Sequence, residues 1–278
     1  MTPSLREMAV EVLTTADAHA KVALSRAHAA RWFAARGAGT PLPLGKATPP
    51  DRPARPAKPE LLAPRDVPQR KPGTATGRAA MLHAIAHIEL NAVDLHWDII
   101  ARFPDVAFPL GFYDDWVKSA DEESKHFKLL TDRLEAYGTH YGALSAHAGM
   151  WQSAEVTAQD ILGRLAVVPM VLEARGLDVT PGMIKLFQQA KDHDSVAALE
   201  VIYSEEVAHV AYGSKWFHFL CGRDNRDPKE TFHDLVRKYF PPKLKPPFNT
   251  EKRAEAGIAP DFYWPLTEDG LPLPAALA

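Results

Sequence analysis

Cysteine is almost missing from this 278-residue chain, where Cys221 stands alone. That excludes an intrachain disulfide framework and leaves no Cys-x-x-Cys pair for a rubredoxin-type iron site. Long apolar runs are missing as well. No stretch reaches the ~20 residues that a membrane helix needs, and the opening MTPSLREMAVEVL has neither the apolar block nor the cleavage site of a secretory signal. Strong net charge is the third absence. Lys+Arg 32 against Asp+Glu 35 gives a formal charge of -3, which argues against a dedicated nucleic-acid coat but leaves room for a local basic patch. The expectation is a soluble protein of a reducing cytoplasm, folded as one large domain or two small ones.

What the chain does contain is a spaced set of acids and histidines: Glu89, Glu123, His126, Glu173, Glu206 and His209. In order they read Glu, Glu-x-x-His, Glu, Glu-x-x-His, the pattern by which four helices enclose two metal ions. Counting along a 3.6-residue period puts Leu82, Ile85, Ala86, Ala92, Val93, Ile99 and Ile100 on the side of Glu89. The same count surrounds Glu123 and His126 with Trp116, Ala120, Phe127, Leu130, Leu134 and Tyr137. Leu162, Leu165, Ala166 and Met170 flank Glu173, and Leu199, Ile202, Val210, Trp216, Phe217 and Leu220 flank Glu206 and His209. All six therefore point inward. Four carboxylates in one core would repel and lose hydration at several kcal/mol per ion, a cost that two divalent cations neutralise. Two imidazoles complete the coordination without adding charge. Residues at i and i+3 lie on the same side of adjacent turns, within reach of one ion. Glu89 precedes His126 by 37 positions and Glu173 precedes His209 by 36, so the core reads as two copies of one helical hairpin. Glu230 and His233 share the spacing but not the role, because Asp227, Pro228 and Glu230 fit N-cap, N1 and N3 of a short helix.

The chain divides into four stretches: 1–36, an N-terminal helix; 37–76, a Pro/basic-rich connector; 77–222, a four-helix bundle; and 223–278, a short helix and a wrapping arm. Ser4 and Glu7 form a capping box, and the alanine-rich stretch after them predicts one long helix to about Ala35. The connector carries Arg52, Arg55, Lys58, Arg65, Arg70 and Lys71 among its prolines, which suits either a strap over the bundle or an RNA contact. Core helices are predicted over 77–102, 111–137, from near Ser153 to 176, and 194–222, with Thr180-Pro181 starting a short helix before the last. His96 shares the stripe of Glu89, whereas His83 and His87 fall off it. Pro169, one turn before Glu173, should bend its helix, either widening a pocket or fitting the crossover. Tyr203 faces inward one turn before Glu206, placed for a ligand hydrogen bond, a substrate cavity or plain packing. Pro241, Pro242, Pro246 and Pro247 announce an extended C-terminal arm anchored by Phe248, Phe262, Tyr263 and Trp264.

The Glu89, Glu123-x-x-His126, Glu173, Glu206-x-x-His209 set resembles the ferritin-like dimetal-carboxylate superfamily. Pro247, Phe248, Asn249, Arg253, Ala256 and Gly257 resemble the C-terminal motif of its DUF455 branch, and the likeness covers most of the chain. A more distant similarity is to the diiron tRNA hydroxylase that oxidises an isopentenyl-adenosine side chain. The resemblance implies an all-α fold, a ferritin-like four-helix bundle with an extra N-terminal helix, a short C-terminal helix and extended Pro-rich arms. It implies that Glu123 and Glu206 bridge or chelate the metals, that Glu89 and Glu173 are terminal or bridging, and that His126 and His209 bind one ion each. Glu122 and Glu205 either orient a ligand histidine or are solvated surface acids. The implied cofactor is two Fe ions, with Mn as the alternative. The implied activity is an oxidase or monooxygenase acting on O2 and a small-molecule or modified-nucleoside substrate; a dimanganese catalase or peroxidase, or a ferroxidase-like metal binder with no organic substrate, are the alternatives. Two full Glu-x-x-His pairs differ from the storage site of ferritin.

Overall fold

The computed structural model describes residues 3–68, 70–241 and 243–268. Pro242 of the predicted arm lies outside the described residues, as does 269–278. Among the described residues the chain is all-helical, with two isolated bridges, Leu61 with Ala146 and Leu244 with Thr267, and no strand. Among the described residues no helix is long and apolar enough to cross a membrane. The chain forms two compact units, Met1–Glu155 with Leu186–Ala198, and Val156–Lys185 with Leu199–Ala278.

The first unit opens on α1 (Leu5–Thr14) and α2 (Ala18–Gly37). The single long helix expected here is interrupted, because Asp17 accepts a hydrogen bond from the Ala20 amide at 2.8 Å and starts a second helix. A side chain that caps a new start outweighs the continuous alanine-rich propensity. The capping box of Ser4 and Glu7 is present. Two long helices follow, α3 (Ala75–Arg102), capped by Thr74, and α4 (Leu110–Ala136). They pack against each other, α1 lies on α3, and α2 lies on α4. The seven-residue link 103–109 makes them antiparallel: Arg78 meets Tyr137 at one end and His96 meets Trp116 toward the other. Gly138, at φ +71°, turns the chain out of α4 in the left-handed conformation that residues with a Cβ avoid.

Helix α3 is buried on almost every side, so its polar residues need partners inside the protein. His83, His87, Asn91, Asp94 and Asp98 form a buried stripe at i, i+3 and i+4 spacing. The connector satisfies much of it. Arg55 donates to Asn91 at 2.7 Å and lies 3.4 Å from Asp94, Arg102 bridges Asp98 and the Pro50 carbonyl, and Lys21 bonds both Asp94 and the Ala54 carbonyl. Arg52 pairs with Glu155 at 2.6 Å. Two of the connector's cations thus fasten it to its own chain. Burial pushes Lys21 down and Asp94 up in pKa, and their mutual attraction, helped for Asp94 by Arg55, opposes that shift.

After 138 the chain forms α5 (Gly149–Val156), a separate short helix where the third core helix was expected to begin. That helix starts later, at α6 (Ile161–Val167), because Asp160 accepts from the Gly163 amide at 2.9 Å. It leads into a π-helical turn, Val168–Glu173, and on to α7 (Ala174–Gln189). The predicted stop at Arg175-Gly176 and restart at Thr180-Pro181 do not occur, since α7 runs through Pro181. Proline removes the N–H that the Leu177 carbonyl would accept. That carbonyl instead accepts from the Asn249 side chain at 3.2 Å.

In the second unit α6 packs on α9 (Pro228–Tyr239), whose start has Asp227 as N-cap and Pro228 in the first turn, as its sequence predicts. From Leu199 onward helix α8 (His193–Arg223) adds Leu199, Ile202, Val210, Phe217 and Leu220 to the unit's core. Phe217 lies edge-on to Phe232 of α9, and Phe232 meets Phe262 of α11 (Pro260–Tyr263). Between α9 and α11 the arm forms a short helix, α10 (Thr250–Glu255), so part of the predicted extended arm is helical. Asn249 caps it by accepting from the Lys252 amide at 3.1 Å.

Candidate metal centre

In the first unit the antiparallel pairing of α3 and α4 brings one turn of each helix face to face. Glu89 of α3 is 4% exposed, and Glu123 and His126 of α4 are fully buried. The His126 Nδ1 lies 3.2 Å from both Glu89 Oε2 and Glu123 Oε2. One ligand atom from each of the three lies within 4.8 Å of the others. Hydrophobic neighbours enforce this, because Leu82, Ala86, Val93, Ala120, Phe127 and Leu130 on the same stripes are all buried. The Glu89 carboxyl is pushed well above the ordinary carboxylate range, first by burial and then by the charge of Glu123, and the bond to His126 opposes the shift. Two carboxylates and an imidazole so placed form a nitrogen and oxygen donor set that could hold a divalent metal ion.

The second unit holds the other three predicted ligands. Glu206 and His209 are one turn apart on α8, both buried, with His209 Nδ1 3.6 Å from Glu206 Oε1. Glu173 is buried at the last position of the π-helical turn. Pro169 explains that turn: it has no amide hydrogen, and the Ala174 amide reaches back to the Pro169 carbonyl, one residue further than in an α-helix. The bend predicted from Pro169 is thus a local widening of the helix, and the extra residue rotates Glu173 relative to α6. Gly213 makes room for it, since a Cβ there would sit 2.3 Å from the Pro169 Cβ. Each unit therefore holds, within itself, a buried glutamate and a Glu-x-x-His pair.

The other candidates fall outside these sets. His83 accepts from the Gly142 amide at 2.9 Å, and His87 bonds Tyr141 Oη at 2.8 Å and the His147 carbonyl at 3.2 Å. Burial depresses both, His83 to a pKa of about 4 and His87 to about 3. His96 is buried against Trp116, ring centroids 5.2 Å apart. Glu122 lies 3.7 Å from Lys118. His233 bonds the carbonyls of Asp261 and Phe262, which settles it as an anchor for the arm. The Tyr203 hydroxyl accepts from Asn249 at 2.7 Å. Asn249, Asp178 and Arg253 form the polar cluster that sequence reasoning passed over as a site. The signal was present in the Pro-Phe-Asn segment, which has no role in a helix bundle as such.

The family described as "Protein of unknown function (DUF455)" matches residues 14–264. A relative from Haemophilus influenzae, described as an uncharacterized protein, is 44% identical over 210 residues, covering 74% of this chain and 73% of that one. No solved structure matches.

Proposed function

The chain belongs to the DUF455 family, and from that premise we propose that it is a ferritin-like dimetal-carboxylate oxidoreductase, in which Glu89, Glu123, His126, Glu173, Glu206 and His209 hold two iron ions. The observation that carries this reading is the convergence of Glu89 and Glu123 on one imidazole nitrogen, each carboxylate 3.2 Å from His126 Nδ1 in a fully buried setting. Such a cluster concentrates negative charge where water is excluded, and a cation relieves it. The second buried Glu-x-x-His pair and Glu173 supply the same donors again.

Held by these residues, two ferrous ions would supply the electrons for reducing O2. The protein's own part is positional. Glu89 and Glu123 supply carboxylate oxygens from opposing helices, and His126 fixes their spacing through its Nδ1. The buried Trp116, Phe127 and Leu130 exclude water around them. The substrate in this reading is a small organic molecule, and a modified nucleoside is one candidate class. The test is oxygen consumption by the full chain loaded anaerobically with Fe(II). Uptake that Glu123→Ala abolishes supports the oxidase; a protein that carries two irons and consumes no O2 overturns it.

A further inference from the structure

The motif Pro247, Phe248, Asn249, Arg253 is not used by the proposed metal chemistry, yet its contacts converge on one buried acid. Asp178 of α7, five residues after Glu173, has a fully buried side chain. It accepts from Arg253 Nε at 2.8 Å and Nη2 at 2.7 Å, from the Asn249 amide at 2.9 Å and from Arg175 Nη1 at 3.4 Å. The Arg253 guanidinium carbon lies over the rings of Phe248 and Tyr263, 5.1 and 4.6 Å from their centroids. The Asn249 side chain then reaches two helices at once. Its amide donates to the Leu177 carbonyl, the one that Pro181 leaves without its helical donor, and to the Tyr203 hydroxyl on α8.

We propose that Asn249, Asp178 and Arg253 are positioning residues that lock the register of the two helices carrying Glu173, Glu206 and His209. The proposal deepens the dimetal reading and rests on it. A π-helical turn holds one residue more than the α-helix it interrupts, so Val168–Glu173 can relax to α geometry only if the chain on one side of it rotates and slides. Upstream, Pro169 is seated against Gly213. Downstream, the bidentate Asp178–Arg253 pair and the Asn249 bond to Leu177 pin α7. One residue of slip would swing Glu173 through about 100° around its helix. The Asn249–Tyr203 bond fixes α8 one turn before Glu206 from the same arm residue. Metal-site partners of this kind act by holding ligands in orientation, and their loss lowers metal affinity by about 10- to 100-fold.

The experiment titrates the full chain with Co(II), reading stoichiometry, affinity and the ligand-field spectrum, and records far-UV circular dichroism and melting of the metal-free protein. Asn249→Ala is the principal variant. Tyr203→Phe removes one hydroxyl and keeps the ring, so it reports even if Asn249→Ala does not fold. Lys229→Ala, which breaks the exposed Lys229–Asp261 bridge of the same arm, is the control. Expected are an altered spectrum and an affinity lowered by about 10-fold or more in Asn249→Ala and Tyr203→Phe, with native circular dichroism, and wild-type behaviour in the control. A wild-type spectrum and affinity in both variants, even with lowered melting, overturns the clamp and leaves the dimetal reading standing. Absence of Co(II) binding by the wild-type chain overturns both.

Discussion

Gly213→Ala is a one-methyl perturbation whose cost follows from the contact it meets. The added Cβ would lie 2.3 Å from Pro169 Cβ and 2.4 Å from its Cγ, where ordinary contact begins near 3.4 Å, so about 1 Å must be made up. A flexible side chain would swing away. The Pro169 ring cannot, because it is closed on its own backbone and buried within the π-helical turn. Overpacking of this kind costs about 1–3 kcal/mol, and replacing a helical glycine by alanine returns up to ~1 kcal/mol. The expected net loss is ~0–2 kcal/mol, which leaves Gly213→Ala ~1–3 kcal/mol below a helical Gly→Ala that meets no contact. Gly182→Ala is the matched control: it lies inside α7 and its Cβ would meet nothing within 4 Å, so it should gain up to ~1 kcal/mol from propensity alone. Urea unfolding of both variants against wild type gives the difference directly. If Gly213→Ala is as stable as Gly182→Ala, Pro169 is not seated as described and the argument for a pinned π-helical turn fails.

Two further predictions follow from the buried polar residues. Burial holds the His87 pKa down to about 3 from an ordinary 6.5, so the unfolded chain binds the proton first as pH falls. The neutral ring's contribution is complete above pH 6.5 and is lost below it, by ~2 kcal/mol between pH 6.5 and 5. His87→Gln should flatten the pH dependence of the urea midpoint by about that amount, and an unchanged slope would refute the assignment. Lys21→Met leaves Asp94 buried with Arg55 at 3.4 Å as its remaining ionic partner. Breaking one side of a buried pair costs ~3–5 kcal/mol; a loss under ~1 kcal/mol would show that Lys21 and Asp94 are not an ion pair in the folded protein.

The burial of Glu89, Glu123 and Glu206 was legible in the sequence because most of their neighbours at i±3, i±4 and i±7 are apolar and share one side of a 3.6-residue period, whereas the π-helical turn before Glu173 breaks that period and was not legible. The start of α9 was legible because Asp227 and Pro228 cap it locally. The course of α7 was not. A proline ends a helix unless the carbonyl it strands finds another donor, and here the donor is Asn249, 72 residues downstream of Leu177. Asp17 shows the opposite failure, a cap hidden in an alanine-rich run whose propensity favours no break. Arg55 reads as surface charge until its partners Asn91 and Asp94 are seen on a helix that is buried almost all round.

Metal content tests the central claim most directly. The full chain is loaded anaerobically with Fe(II), desalted and assayed by mass spectrometry of the elements, beside Glu123→Ala and Glu206→Ala. Two ions per wild-type chain, falling to one or none in each variant, is the predicted result. A wild-type chain that retains no metal, or two ions kept by both variants, would contradict it.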